Sequence, residues 1–316
     1  MHTPATDSPP VQLSSGTEHT KRQAAYSSIR LIGTDENCGP LRSVPKVYNY
    51  PYKQPFFPVS YRAIFFLSQV AFFKYNFHSE LGKAQAFATM APFNVAVYLY
   101  PSADILDFSG PVEIYSMRPA SGEPIFSIKT FGHHERVTSE SGAMTYVPNH
   151  LFSVLEQNIA DYDILVIPGA HFDVFDKLLP SNEGKELTEL LRKFTSLAPR
   201  KEAGTRILQS VCTGSIILAA SGVLQGRTIT THHMGFELLK QWADKAAGGD
   251  SNVDVVRKRW VDAGTTDAGV RIINAAGVSS GIDTSLWIYE QLAGKEQADF
   301  VAEIAEFERR GEAWGV

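Results

Sequence analysis

From about Met90 to its C-terminus the sequence predicts an α/β domain: a doubly wound, mostly parallel sheet with helices on both faces. Three observations lead there. Short β-rich runs alternate with longer amphipathic segments, the pattern of strands joined by crossover helices. The charge balance changes at the same place, with nine Lys or Arg against five Asp or Glu before residue 90 and 20 against 29 from there on. Finally, SVCTG at 210–214 stands between a strand-like and a helix-like run, and open α/β sheets collect function at such strand ends.

The strands follow in order: Asn94–Tyr100 (NVAVYLY), Ile125–Thr130 (IFSIKT), Asp163–Ile167 (DILVI), Arg206–Val211 (RILQSV), Arg227–Thr231 (RTITT) and Val270–Ala275 (VRIINA). Among the helices, Glu183–Ser196 sets Leu187, Leu190, Leu191 and Phe194 along one face. Ser215–Gly222 (SIILAASG) is an apolar helix ended by glycine. The spacing of Ser280 and Asp283 predicts a capping box at the start of Ile282–Leu292. After Gly294 only KEQADFVAEIAEFERR remains helical, enough for one helix and too little for a DNA-binding appendage.

Residues 1–89 read as a separate extension. Up to about Pro45 they are rich in Ser, Thr, Pro, Gly and Asn without periodicity, a composition that cannot offset the entropy of ordering, so disorder is expected. Tyr48–Phe77 then holds twelve Tyr or Phe in thirty residues. Its apolar stretch between Arg62 and Lys74 is eleven residues long, short of the roughly 20 that cross a bilayer. No membrane span is expected, and a surface-docked helix or an extension foreign to the fold fits better. A secretory signal is not expected so far from the N-terminus, and Asp7 and Glu18 count against a mitochondrial presequence. Met90 directly precedes the first strand, so translation starting there is a second expectation.

The remaining composition narrows the function. A chain of 316 residues, 44% hydrophobic and 20% charged, can bury a full core. A formal charge of -5 argues against a nucleic-acid surface and favours a small-molecule partner. The two cysteines, Cys38 and Cys212, lie far apart, which implies no disulfide framework and a reducing, cytoplasmic setting. No glycine-rich phosphate loop of the G-x-G-x-x-G or G-x-x-x-x-G-K-[ST] kind is present.

Cys212 is the residue that suggests chemistry. A thiol at the first turn of a helix meets backbone N–H groups and the positive end of the helix dipole, which favour a thiolate titrating well below the roughly 8.5 of a free cysteine. The strand-to-helix turn also resembles a nucleophile elbow, in which the next residue, here Thr213, supplies an oxyanion N–H.

Four blocks together resemble the ThiJ/PfpI superfamily, which shares its fold with class I glutamine amidotransferases. They are LDFSGPVEIY (106–115), DILVIPGA (163–170), SVCTGSIILAASGVLQGRTITTHH (210–233) and AAGVSSGIDTSLWIYEQLAG (275–294). The first and last most resemble the isonitrile hydratase branch. The resemblance implies a flavodoxin-like doubly wound sheet over 90–316 with Cys212 on the elbow, a homodimer, and no cofactor or metal. It places the family's acidic partner on Asp107, its branch-specific threonine on Thr213 and a histidine used in some branches on His232. The family's PGG turn is PGA here, so its oxyanion N–H falls on Ala170, and the turn would be strained if that position needs a positive φ. Each partner has a plainer reading as well: Asp107 as the cap of a helix starting at Ser109 or Gly110, and His232 as a hydrogen-bonded structural histidine.

The activity implied is cysteine-dependent hydration of a small electrophile, isonitrile to N-substituted formamide. A glyoxalase-type reaction on a 2-oxoaldehyde, with His232 shuttling protons, is one alternative. A non-catalytic redox or ligand sensor is another. A glutaminase is disfavoured, because no His follows His233 to form the H-x-E motif of class I amidotransferases.

Overall fold

The protein is described here from a computed structural model covering residues 92–313. The expectations for residues 1–89, including the aromatic run at 48–77 and a start at Met90, lie outside the described residues.

A seven-stranded sheet forms the centre, and the short antiparallel pair β3 (Val137–Thr138) and β4 (Thr145–Tyr146) lies outside it. Its strands are β1 (Phe93–Tyr98), β2 (Phe126–Gly132), β5 (His150–Leu151), β6 (Ile164–Ile167), β7 (Arg206–Ser210), β10 (Trp260–Thr265) and β11 (Val270–Ala275). All neighbours run parallel except β10, which lies antiparallel against β11. The middle strands are covered on both faces. Every residue of β6 and β7 is buried, and so is all of β1 except Asn94, which explains why they read as unbroken apolar runs rather than alternating ones. In the order β10-β11-β7-β6-β1-β2-β5 the chain runs outward from the β1–β6 pair through β2 to β5 on one side and to β7 on the other, where β10 takes the edge and β11 returns inside it; the β1–β6 pair is the point at which a doubly wound sheet opens a crevice at its carboxyl edge.

Helices α1 (Ile105–Ser116), α2 (Phe152–Asn158), α3 (Phe172–Leu178), α4 (Asn182–Ser196), α5 (Gly214–Ala220), α6 (Phe236–Ala247), α7 (Ser280–Ala293) and α8 (Lys295–Ile304) complete the layers. The spacing read in α4 is realised: Leu187, Leu190, Leu191 and Phe194 are all buried, and the Ser181 side chain caps the helix by accepting the Gly184 N–H. A buried polar link sets α1 and α7 against β7. Tyr115 Oη donates to Gln209 Oε1 at 2.7 Å, and Gln209 Nε2 donates to Ser285 Oγ at 3.0 Å. This link fixes the helix that follows β1 against the strand that leads into Cys212.

Two expectations are corrected, and one strand not read from the sequence is present. The run Arg227–Thr231 forms only a two-residue strand, β8 (Thr228–Ile229), which pairs with β9 (Asp254–Val255) outside the main sheet. The edge strand β10 has no β-rich signature, since Asp262 and Gly264 interrupt it and its register shifts between Asp262 and Thr265. The capping box is not formed. Ser279 is the N-cap of α7, its side chain makes no capping hydrogen bond, and Ser280 Oγ is buried without a partner. Asp283 is drawn to Arg259 instead, accepting its Nε–H at 2.5 Å and the Arg310 N–H at 2.7 Å. A guanidinium at close range outcompetes a helix's own N–H groups for a buried carboxylate.

Candidate active site

Three strand ends deliver the residues singled out by the sequence. Asp107 enters from the first turn of α1 after β1, Ala170 from the loop after β6, and Cys212 with Thr213 from the turn between β7 and α5.

Cys212 sits at φ +56°, a left-handed backbone conformation that non-glycine residues seldom adopt. The surroundings hold it there. Its N–H donates to the Ala276 carbonyl at 2.8 Å and the Ala275 carbonyl at 3.2 Å. Its own carbonyl accepts from Thr231 Oγ1 at 2.9 Å and Ser215 Oγ at 3.2 Å. A strained residue held by four hydrogen bonds is the geometry of an elbow. Two glycines let the chain close around it. A Cβ on Gly214 would lie 2.3 Å from the Ile167 carbonyl oxygen, and one on Gly169 would lie 2.4 Å from Thr213 Oγ1 and 2.8 Å from Asp107 Oδ2.

Asp107 is fully buried. Its Oδ2 accepts the Gly169 N–H at 2.9 Å, while Oδ1 is buried with no hydrogen-bond partner in good geometry. The cap of α1 is Asp104, whose side chain accepts the Leu106 N–H, so the plainer reading of Asp107 as a helix cap is corrected. Burial first, and then the charge of Asp104, push the Asp107 carboxyl up to about 8; the Gly169 N–H and the Cys212 side chain pull against them. At neutral pH this carboxyl holds its proton.

The thiol also departs from expectation. Burial, followed by the charge of Asp107, pushes Cys212 up to about 12. The N–H groups of Val278 and Thr213 favour the thiolate but are outweighed. Sequence reasoning anticipated the helix N-terminus and the Thr213 N–H. It had no means of seeing that Cys212 is only 6% exposed, or that a buried carboxyl would stand beside it.

Thr213 and Ala170 are locked together. The Thr213 hydroxyl donates to the Ala170 carbonyl at 2.7 Å and lies 2.9 Å from the Ala170 nitrogen, whose N–H it accepts. The N–H expected on Ala170 is therefore occupied by a side chain of the same site. Ala170 is not at positive φ, so alanine leaves this turn unstrained. Val278, reached by the loop after β11, was missed by the sequence reading because a backbone N–H leaves no mark on residue identity.

His232 precedes the 3-10 turn His233–Gly235, and its Nδ1 accepts the Met234 N–H at 3.4 Å. The ring covers Gly277, where a Cβ would meet it at 3.0 Å, one residue before Val278. Burial and neighbouring His233 lower its pKa, keeping it neutral at pH 7. His171 stands apart on the surface, paired with Asp173 at 2.5 Å. Tyr100 Oη donates to the Pro168 carbonyl at 2.9 Å, tying the end of β1 to the turn that carries Gly169.

Comparison with known proteins is consistent with this architecture. The model of the DJ-1/PfpI family matches residues 94–268, more than half of the chain. Isonitrile hydratase of Pseudomonas putida is 25% identical over 207 residues, covering 66% of this chain and 75% of the relative. An uncharacterised Streptomyces lividans protein is 28% identical over 149 residues, 46% of this chain and 90% of its own length. Among solved structures, a ThiJ/PfpI family protein from Pseudomonas syringae superposes with a TM-score of 0.52 at 22% identity, over 70% of this chain and 78% of that one. Drosophila melanogaster DJ-1beta gives 0.52 at 21% identity, over 69% and 100%. These two likenesses establish the flavodoxin-like fold. Among the described residues no helix is long and apolar enough to cross a membrane.

Proposed function

The chain belongs to the DJ-1/PfpI family, and on that footing we propose that it is a cofactor-independent, cysteine-dependent hydratase of small electrophiles, most similar in action to isonitrile hydratase. The observation that carries the reading is a fully buried carboxyl, Asp107, held by the Gly169 N–H beside the thiol of the strained elbow residue Cys212, with burial pushing that carboxyl up to about 8. A proton donor and a nucleophile are then presented together, as general acid and covalent catalysis require.

Asp107 gives its proton to the isonitrile carbon as the Cys212 sulfur bonds to that carbon, and the thiol proton passes to the carboxylate so vacated. The product is a thioimidate. The N–H groups of Thr213 and Val278 face the sulfur and stabilise the negative charge that develops on it. Asp107 next directs a water to the thioimidate carbon, and collapse of that adduct expels the Cys212 sulfur and leaves an N-substituted formamide. The sum is one isonitrile and one water to one formamide. Thr213 acts through its N–H, while its hydroxyl fixes Ala170.

His232 supports a second reading. A neutral imidazole held over Gly277 suits the proton shuttle of a 2-oxoaldehyde reaction initiated by the same thiol. Incubating the protein separately with an alkyl isonitrile and with methylglyoxal, and following product by NMR, decides between them. Formamide from the first supports the hydratase, lactate from the second supports the glyoxalase, and turnover of neither contradicts both.

We also expect the protein to be a homodimer. Met144, Val147, Leu151 and Val154 expose apolar side chains close together in sequence, a surface suited to burial against a second copy. Light scattering at micromolar concentration should give twice the monomer mass, and a monomer mass would contradict this.

A further inference from the structure

We infer that the site is filtered by charge: Asp104, fastened beside the elbow, admits neutral and cationic electrophiles to Cys212 and turns anionic ones away. This rests on Cys212 being the nucleophile proposed above, and it names the class of substrate that nucleophile can take.

Asp104 is half-buried and stands one helical turn before Asp107. Its Oδ1 accepts the Leu106 N–H at 3.1 Å, and its own N–H donates to the Gly169 carbonyl at 2.8 Å. It is thus fastened to the glycine whose N–H holds Asp107 and whose Cα abuts Thr213. Its neighbour Ala103 bridges Ala170. The Asp104 charge is felt by Tyr100, Asp107, Tyr146, Cys212 and His232. Among the described residues no Lys or Arg forms an ion pair with it, and both charges that bear on Cys212 are carboxyls. An anion brought to the thiol comes near this half-buried carboxylate, and repulsion beside a buried site is screened less than in water. An uncharged isonitrile or aldehyde meets no such barrier.

The test is the alkylation rate of Cys212 in the full chain by neutral iodoacetamide and by anionic iodoacetate, with 2-mercaptoethanol as the free-thiol reference. Peptide mass spectrometry separates Cys212 adducts from those on Cys38. The two reagents share one thiol, so their rate ratio cancels any change in its ionisation. The neutral-over-anionic ratio should exceed that of the free thiol by about tenfold and shrink in roughly 0.5 M salt. Asp104→Asn keeps a capping side chain, and it should bring the ratio to within about twofold of the reference. A parent ratio equal to the reference, or one that Asp104→Asn leaves unchanged, overturns the filter alone. No adduct at Cys212 with either reagent overturns the nucleophile on which it rests.

Discussion

Asp107 and Cys212 arrive from the ends of β1 and β7 into one buried site, where burial first, and then the charge of the carboxylate, raise the pKa of the thiol. The same burial raises the carboxyl to about 8. Asp107 thus binds its proton more tightly in the folded protein than in the unfolded chain. Its contribution to stability is complete below about pH 4 and is lost progressively as pH rises to about 8.

Replacing Asp107 with Asn separates function from stability. Turnover should fall by roughly 10²-fold or more, since the proton donor is gone. The variant should gain thermal stability relative to the parent between pH 5 and pH 8, by up to about 1.4 kcal/mol per pH unit. Differential scanning at the two pH values measures this. An equal difference at both would mean that the carboxyl is not held protonated.

Gly169→Ala tests the contact that draws the three strand ends together. The added methyl would lie 2.4 Å from Thr213 Oγ1 and 2.6 Å from its nitrogen, so the elbow must shift, at a cost of about 1–3 kcal/mol. Turnover should drop sharply with it. Ala170→Gly, one residue along, should leave the rate within a few-fold, because its N–H and carbonyl still meet Thr213. Comparable losses in both variants would show that the turn as a whole is sensitive, rather than the close approach at Gly169.

Asp283→Asn should unfold the protein early without touching the chemistry. Arg259 and Asp283 are both buried, and breaking such a pair leaves an uncompensated guanidinium at a cost of about 3–5 kcal/mol. Chemical denaturation should show that loss, while kcat at low temperature stays near the parent value. A stability change under about 1 kcal/mol would mean that water reaches the pair.

Much of this was legible in the residues. Fully buried parallel strands such as Ile164–Ile167 announce themselves as short apolar runs, and SVCTG marks the junction where one of them turns into a helix. What escaped depends on partners distant in sequence. Asp283 has capping-box spacing, yet Arg259, the residue before β10, claims its carboxylate. Trp260–Thr265 becomes a strand only because β11 offers it an edge. The thiol's raised pKa follows from burial and from Asp107, 105 positions earlier in the chain, neither of which a local helix N-terminus reveals. Val278 acts through its backbone, which any residue but proline would provide.

The central claim, that Cys212 is the nucleophile of hydration, is tested most directly by following N-substituted formamide by NMR in parallel reactions of the parent and Cys212→Ala with the same alkyl isonitrile. The substitution keeps a Cβ at the strained φ and removes only the sulfur, so the fold should persist, as circular dichroism would verify. The parent should form formamide steadily, and the alanine variant should form none above the uncatalysed rate. Formamide produced by Cys212→Ala at the parent's rate would contradict the account.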